Sequence, residues 1–229
     1  MENVFKQLLN ETKDVRNQLS EAGNNNEATA KEYKKKWFSE ISYWEDRYAK
    51  EKQNTVFEWF LSFKQLQPFL GALVKRSSKV LHIGCGNSTL GVDLFCNTYA
   101  SKGVINTDIC PLVIEQMKRR FQSLNHVEWH VDDTMGMKFC EANFDSVIDK
   151  GCLDALLCHS NKNVKLRNCE KMMNEVYRVL KPKGNLILIS FGQPEVRLEY
   201  FDQQKFQIHH YCYTPNGGPS TYIYNLRKR

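Results

Sequence analysis

The chain has 229 residues and a formal net charge of +6, with 41% hydrophobic and 25% charged residues. Single α/β domains commonly reach about 200–250 residues, so one domain with an N-terminal extension is predicted, and the near-average composition excludes wholesale disorder. The charge is dispersed except at Lys34–Lys36 and Arg227–Arg229, which disfavours nucleic acid as a partner, and no run approaches the roughly 18 apolar residues of a membrane span.

The eight cysteines form no CxxC pair, and several lie inside predicted core elements. A metal site and a disulfide scaffold are therefore both disfavoured. The first residues, MENVFKQLLNETKDV, mix acids into the opening turns, which argues against a signal or transit peptide. These features predict a cytoplasmic protein with no membrane partner and no metal.

The N-terminal part is predicted to be helical. Apolar residues recur at helical spacing in residues 2–20, whereas residues 21–30 lack periodicity and are predicted to be a flexible linker. The main domain is predicted to span residues 31–229. It begins with a helix from Tyr33 to Tyr48 and a second from Val56 to Val74, interrupted near Pro68.

Short apolar strands then alternate with helices. Strands are predicted over residues 79–84, 103–108, 127–131, 144–149 and 181–191, with helices over 88–100, 111–121 and 165–180. Such alternation indicates an α/β fold with a mainly parallel, doubly wound sheet and helices on both faces. The last two strands, 205–213 and 220–228, flank TPNGGP and predict a β-hairpin.

A glycine turn, Gly84-Cys85-Gly86, follows the first of these strands, where open α/β sheets bind ligands. In the dinucleotide motif GxGxxG a third glycine brings the helix close to a diphosphate, but that position is Thr89 here. The turn, with Asn87 and Ser88 at the helix start, instead suits a ligand whose amino-acid end needs close backbone and polar groups. A purely structural tight turn is the alternative.

Aspartate residues lie at the ends of the next two predicted strands. Asp108 ends the second strand, where it can accept hydrogen bonds from both hydroxyls of a ribose, although it could also cap the helix opened by Pro111. Asp132 and Asp133 close the third strand. We expect Asp133 to meet an adenine amine and Asp132 to face solvent, so the pattern indicates an adenosyl ligand.

Four segments in chain order carry a family resemblance: ISYWEDRY, VFEWF, HIGCGNSTL and FDSVIDKGCLDALL. Together they resemble class I S-adenosylmethionine-dependent methyltransferases, and among these the methyltransferase-like family that modifies lysines of translation elongation factor 1-alpha. The resemblance extends over residues 40–228. Cys152 departs from it, because related segments usually carry threonine there, and residues 1–30 have no counterpart.

The resemblance implies a Rossmann-like fold whose seven-stranded sheet receives its last strand antiparallel. It implies S-adenosyl-L-methionine as cofactor and S-adenosyl-L-homocysteine as product. Besides the glycine turn with Cys85, Gly86 and Asn87, the implied cofactor contacts are Trp44, Tyr48, Trp59, Gly84, Asp108, Ile109, Asp133, Thr134 and Lys150. Two alternatives stay open: the three lid aromatics could only pack the N-terminal helices on the sheet, and Lys150 could bind either the methionyl carboxylate or an acidic neighbour.

Methyl transfer from sulfur to nitrogen requires placement of a nucleophile rather than covalent catalysis. Asp149 and Asp154 are the candidate catalytic residues, as groups that orient a lysine amine or relay its proton, although Asp154 could instead cap or bridge its own short helix. The segment Asp149–Cys152 lacks the Asn/Asp-Pro-Pro-aromatic motif of nucleic-acid amino methyltransferases. Base methylation is therefore disfavoured.

The expected function is a protein-lysine N-methyltransferase that acts on a protein substrate, such as elongation factor 1-alpha, as a monomer. A small-molecule methyltransferase and a non-catalytic cofactor-binding module are the alternatives.

Overall fold

Seven strands form one sheet in the computed structural model, which describes residues 38–52, 55–215 and 218–229. The strands are β1 (Val80–Ile83), β2 (Val104–Asp108), β3 (Val127–Val131), β4 (Phe144–Lys150), β5 (Leu180–Ser190), β6 (Phe206–Tyr213) and β7 (Thr221–Lys228). Their order in the sheet is β3-β2-β1-β4-β5-β7-β6. Neighbours among β1 to β5 are parallel, whereas β7 pairs antiparallel with both β5 and β6. The predicted mainly parallel sheet with an antiparallel C-terminal hairpin is confirmed.

The described helices are α1 (Ile41–Lys50), α2 (Phe63–Leu73), α3 (Leu90–Cys96), α4 (Pro111–Arg120), α5 (Cys152–Leu156), α6 (Lys162–Val179) and α7 (Pro194–Arg197), followed by a 3₁₀ turn at Leu198–Tyr200. Proline at the first position of α4 suits a helix start, because its missing N–H has no partner there. The side chain of Asn161 accepts hydrogen bonds from two backbone N–H groups of α6 and caps that helix. None of the helices in the described ranges is both long and apolar enough to cross a bilayer.

The strands of the sheet centre are buried on both faces, as parallel sheets require. Successive side chains point to opposite faces. Val80 and Ile148 pack with α2 and α3 in one apolar cluster, whereas Leu81 and Val147 pack with α6 in another. Helices therefore cover both faces of the sheet, and the carboxyl ends of β1, β2, β4 and β5 meet at one edge.

The first two described helices begin later than predicted. Helix α1 begins at Ile41, since Phe38 lies in a turn where its carbonyl accepts a hydrogen bond from Trp44 Nε1 at 2.9 Å. Helix α2 begins at Phe63 rather than Val56. The backbone N–H of Ser62 donates to Gln65 Oε1 at 2.9 Å, a capping interaction that defines the start of α2.

Pro68 does not interrupt α2, contrary to the prediction. The helix continues for 11 residues with Pro68 at its sixth position. Proline there removes one backbone hydrogen bond, but its fixed φ is compatible with a helix. Leu66 and Leu70 on either side are completely buried, and this burial offsets the missing bond. The predicted N-terminal helix and linker, residues 1–30, and residues 33–37 of the next predicted helix lie outside the described residues.

Candidate functional site

The glycine turn after β1 is approached closely from two sides. Gly84 and Gly86 have φ angles of +55° and +50°, in the left-handed region that favours glycine. A Cβ added at Gly84 would lie 2.6 Å from the Cβ of Cys152, and one added at Gly86 would lie 2.5 Å from Tyr48 Oη. The turn is therefore enclosed by the start of α5 on one side and by α1 on the other.

Asp108 is hydrogen-bonded to this turn from the end of β2. Its Oδ2 accepts from the Gly86 N–H at 2.9 Å, and its Oδ1 accepts from the Cys110 N–H at 3.0 Å. Burial raises the pKa of Asp108, while hydrogen bonds from the backbone N–H groups of Cys110, Gly86 and Ile109 act in the opposite direction. Cys110, not Asp108, is the N-cap residue of α4. A carboxylate has about four acceptor positions, so Asp108 retains acceptor capacity for a ligand.

The end of β3 places Asp133 and Thr134 near the same edge. Asp133 is half-buried, and its Oδ1 accepts from the Met135 N–H at 2.9 Å. The prediction that Asp132 faces solvent is wrong. Asp132 is 5% exposed, and its Oδ2 accepts a hydrogen bond from the Lys138 N–H at 3.3 Å. Strand alternation stops at Val131, so the directions of the next side chains were not predictable from period two.

The predicted lid aromatics form one cluster. Trp44 stacks on Tyr48 with ring centroids 6.1 Å apart, and it meets Trp59 edge-on at 6.2 Å. The Arg47 guanidinium lies over the rings of Trp44, Phe57 and Trp59, at 5.8, 4.8 and 5.4 Å from their centroids. These rings therefore already hold one cation of the protein itself, through the attraction of aromatic faces for positive charge.

Lys150 pairs with an acidic neighbour, which was one of the two alternatives left open by the sequence. Its Nζ lies 2.7 Å from Glu58 Oε2 and donates to the Trp59 carbonyl at 3.2 Å. The Lys150 side chain is 1% exposed. Because the ion pair is neutral overall, Lys150 does not place an uncompensated cation beside a cationic ligand.

Glu58 also binds the start of α3. Its Oε1 accepts from the backbone N–H of Thr89 at 2.7 Å, and its Oε2 accepts from Ser88 Oγ at 2.7 Å. Burial alone would raise the pKa of Glu58, but Lys150 and the bonds from Ser88 and Thr89 outweigh it and hold this pKa below its usual value. The protein's own carboxylate thus occupies the helix N-terminus where a dinucleotide fold binds phosphate, consistent with the argument from Thr89 against a diphosphate.

Glu58 was not singled out from the sequence, although the EWF segment that contains it was noted.

A buried polar pair behind the glycine turn was also not predicted. His82 Nδ1 lies 3.1 Å from Asn106 Oδ1. Burial, and next the charge of Lys150, lower the pKa of His82 to about 4, so the imidazole is neutral near pH 7. The run of apolar residues in β1 predicts that His82 is buried in a strand, but it does not predict that Asn106 is its partner.

The remaining predicted contacts occupy the same region. Asn87 Nδ2 donates to Glu51 Oε2 at 2.6 Å and to the Thr55 carbonyl at 3.2 Å, so it fastens the segment after α1 to the glycine turn. Cys85 is buried, and Ile109 is half-buried in the turn between β2 and α4. All eight cysteines are free thiols in the structure.

Asp149, rather than Asp154, binds the backbone N–H groups at the start of α5, whose N-cap residue is Gly151. The two oxygens of Asp149 accept from the backbone N–H groups of Cys152 at 2.8 Å and Leu153 at 3.0 Å. Burial, and next the charge of Asp154, raise the pKa of Asp149 to about 7. Asp149 is completely buried. Its carboxyl group therefore titrates in the neutral range.

Asp154 forms a bridge to the segment after β5. Its Oδ1 accepts from Ser190 Oγ at 2.9 Å and from Arg197 Nη2 at 2.6 Å. Its Oδ2 is buried and has no hydrogen-bond partner among the described residues. Arg197 carried no sequence signal, because it comes from a connection 43 residues away whose fold the local pattern did not define.

Residues 74–216 match a family described as a methyltransferase domain. The "eEF1A lysine and N-terminal methyltransferase" of Mus musculus is 37% identical over 162 residues, which cover 70% of this chain and 23% of that protein. The "EEF1A lysine methyltransferase 4" of Bos taurus is 28% identical over 174 residues, 74% of this chain and 68% of that protein. The chain thus spans less than a quarter of the length of the mouse relative.

A solved structure of a SAM-dependent methyltransferase from Methanosarcina mazei has a TM-score of 0.54 to this chain. It is 19% identical and covers 70% of this chain and 97% of its own. At that identity the likeness concerns the fold alone.

Proposed function

Because the chain belongs to the methyltransferase domain family, we propose that it is an S-adenosylmethionine-dependent protein-lysine N-methyltransferase acting on translation elongation factor 1-alpha. The observation that carries the proposal is the approach of the segment after β4 to the glycine turn, where Cys152 lies against Gly84. This contact brings the candidate catalytic carboxylates to the same sheet edge as the candidate cofactor residues. Relatives that align over about 70% of the chain are named for lysine methylation of this factor.

The residues around the turn fit S-adenosylmethionine. Gly84 and Gly86 carry no side chains of their own at the turn, Asp108 and Asp133 retain acceptor capacity, and the charge of Lys150 is neutralised by Glu58. A cationic ligand with a ribose and an adenine therefore meets hydrogen-bond acceptors and no uncompensated charge from Lys150. S-adenosylmethionine, when bound, supplies an activated methyl group on a sulfonium.

Each group of residues has a separate task in holding the cofactor. The carboxylate of Asp108 would accept hydrogen bonds from the ribose hydroxyls, beside Ile109, and that of Asp133 would accept one from the adenine amine, beside Thr134. The turn residues Cys85 and Asn87 would surround the methionyl end together with the two glycines. The aromatic cluster would exclude water from the site. Its members are Trp44, Tyr48 and Trp59.

The acceptor lysine must also lose its proton. At an ordinary pKa of about 10.4, deprotonation at pH 7.4 costs about 4 kcal/mol. We assign to Asp154 Oδ2, which is buried without a partner among the described residues, a hydrogen bond from the acceptor amine. Asp149, with its pKa raised to about 7, is suited to receive the proton through water near neutral pH.

The enzyme is proposed to act as a cytoplasmic monomer, since its substrate is a factor of cytoplasmic translation. The eight free thiols are consistent with a reducing compartment.

The experiment incubates the full chain with radiolabelled cofactor and purified elongation factor 1-alpha, and in parallel with cell lysate. We expect label on lysines of the factor. Asp154→Asn should lower kcat at least about tenfold, because the amide is a weaker acceptor for the amine and no longer carries charge. Asp108→Asn should instead weaken cofactor binding at least several-fold by calorimetry.

A matched control is Asp202→Asn, an exposed aspartate in the turn before β6, whose change should leave both quantities unaltered. Label on a small metabolite, with none on any protein, would refute the substrate assignment. Cofactor binding without turnover on any lysate component would show a binding module instead.

A further inference from the structure

Two phenylalanines, Phe60 and Phe191, form a partly exposed aromatic pair beside the candidate site. Phe191 directly follows β5 and is 45% exposed, although large apolar side chains are usually covered. Its ring centroid lies 4.2 Å from that of Phe60, with 59° between the ring planes. The pair is therefore a preformed aromatic surface that faces solvent on one side.

The backbone of Phe60 is held in an unfavourable conformation. Its φ is +64°, which costs a non-glycine residue on the order of 1–2 kcal/mol and persists only where the surroundings impose it. The ring packs against Gly151, where an added Cβ would lie 3.3 Å from Phe60 Cε2. Gly151 itself has a φ of +95°. Two unusual backbone conformations thus place the aromatic ring against the loop that joins β4 to α5.

The carboxylates of the candidate site lie next to these loops, Asp149 in β4 and Asp154 in α5. Asp149 precedes Gly151 by two residues, and Ser190, which directly precedes Phe191, donates to Asp154 at 2.9 Å. An apolar wall and an acidic end therefore share the carboxyl edges of β4 and β5. A lysine side chain has the complementary order, an apolar alkyl chain that ends in an amine.

We infer that Phe60 and Phe191 form the wall of a channel that receives the alkyl chain of the acceptor lysine. The inference rests on the proposed function. The occupant is a lysine of a protein substrate, because the aromatic faces suit methylenes and a cationic head, and because Phe60 contacts Gly151, which lies between Asp149 and Asp154 in the chain. Phe191 supplies the entrance, and Phe60 supplies the part nearest the reacting centre.

The experiment compares Phe191→Ala, Phe191→Leu and Phe191→Tyr in the full chain, with the protein band that the wild type labels as substrate. We expect Phe191→Ala to raise the KM for that protein about tenfold, with the cofactor Kd changed less than twofold. Phe191→Tyr should remain within about twofold of wild type, because the ring persists, and Phe191→Leu should fall between them.

Phe60→Gly supplies a second, independent readout. It removes the ring but also relieves the positive φ, so the KM should rise by a similar factor although the backbone becomes less strained. The control is Tyr211→Ala on β6, whose side chain is 42% exposed and whose ring centroid lies 5.8 Å from that of Phe69. Its KM should equal that of the wild type.

The outcomes separate this inference from the proposed function. If the wild type labels protein and Phe191→Ala does so with unchanged KM while its cofactor Kd and Tm are also unchanged, the channel assignment is wrong and the enzymatic activity stands. If Phe191→Ala only lowers Tm, and Phe191→Leu keeps the wild-type KM, the pair is structural. If the wild type labels no protein, the proposed function fails and this inference fails with it.

Discussion

Gly84 illustrates how a single residue couples the cofactor turn to the catalytic segment. Its Cα lies where any side chain would collide with Cys152, and its φ is positive. A glycine at this position therefore does two things at once: it permits the left-handed turn and it lets α5 approach. Neither requirement can be met by alanine without movement of one of the two loops.

Gly84→Ala should lower Tm by at least about 4 °C and weaken cofactor binding at least about tenfold. The positive φ costs about 1–2 kcal/mol for a residue with a Cβ, and the contact with Cys152 adds to it. Differential scanning fluorimetry and calorimetry measure the two effects. Gly136→Ala is the matched control, because a Cβ there meets nothing within 4 Å, and its Tm should stay within about 2 °C of wild type. Equal behaviour of the two variants would contradict the steric argument.

Asp149 predicts a pH dependence of stability whose sign follows from its raised pKa. In the unfolded chain an aspartate ionises near pH 3.9, whereas in the folded protein this carboxyl ionises at about 7. Between these values the folded state binds a proton that the unfolded state has lost. The free energy of unfolding therefore falls as the pH rises from about 4 to about 7, and the loss is complete above that.

Asp149→Asn should flatten this part of the pH profile. The Tm of the wild type should fall more between pH 5 and pH 8 than the Tm of the variant. This difference in slope does not depend on how much the substitution itself lowers the Tm at all pH values. Thermal unfolding at intermediate pH values measures the slope. Asp202→Asn, at an exposed site, should retain the wild-type slope. Parallel wild-type and Asp149→Asn profiles would show that Asp149 titrates at its ordinary pKa.

Residues 55–62, between α1 and α2, form no helix or strand but are firmly attached to the rest of the domain. Glu58 ties this segment to β4 through Lys150 and to α3 through Ser88 and Thr89. The Asn87 side chain donates a hydrogen bond to the carbonyl of Thr55, at the start of this segment. This explains why α2 does not begin at Val56 as predicted: the polar contacts of this segment require a chain path that a helix would not follow.

Glu58→Gln should destabilise the protein by about 3 kcal/mol, because the buried Lys150 ammonium loses its counterion. Cofactor affinity should fall as well, since the segment carries Trp59. The double variant Glu58→Gln with Lys150→Met should recover part of the lost stability, which a urea titration measures. Glu115→Gln breaks an exposed helix pair with Arg119 and should cost no more than about 0.5 kcal/mol. Additive losses in the double variant would argue against the ion pair.

At the scale of the whole molecule, the last strand, β7, contributes side chains to the apolar clusters on both faces of the sheet. β7 inserts between β5 and β6, and its residue Ile223 is completely buried in the same cluster as α2 and α3. Its neighbour Tyr224 is buried in the cluster on the opposite face and donates its hydroxyl to the Gly192 carbonyl at 2.6 Å. A strand near the C-terminus therefore connects both apolar layers.

Ile223→Ala should lower the free energy of unfolding by about 2–5 kcal/mol, as expected for a cavity in a packed core. Because the strand belongs to both layers, tryptophan fluorescence and far-UV circular dichroism should report the same shifted urea midpoint. Val196→Ala in α7, at a side chain 54% exposed, should change stability by less than about 0.5 kcal/mol. Separate midpoints for the two probes would show that the layers unfold independently.

Hydrophobic periodicity determined the α/β alternation and the terminal hairpin, because strand and helix periods are local properties of the chain. Gly84, Asp108 and Asp133 were recognisable for a related reason: each lies at the end of a strand or just after it, and the carboxyl ends of parallel strands meet at one edge.

Tertiary structure alone decided the partners of these residues. The pairing of Lys150 with Glu58, the bridge from Asp154 to Arg197 and the aromatic pair of Phe60 and Phe191 each join residues far apart in sequence. No local pattern encodes such contacts, since they depend on how irregular connections pack after the sheet has formed. The sequence motifs therefore indicated the kind of reaction. Only the packing of the folded chain decided which side chains contact one another at the site.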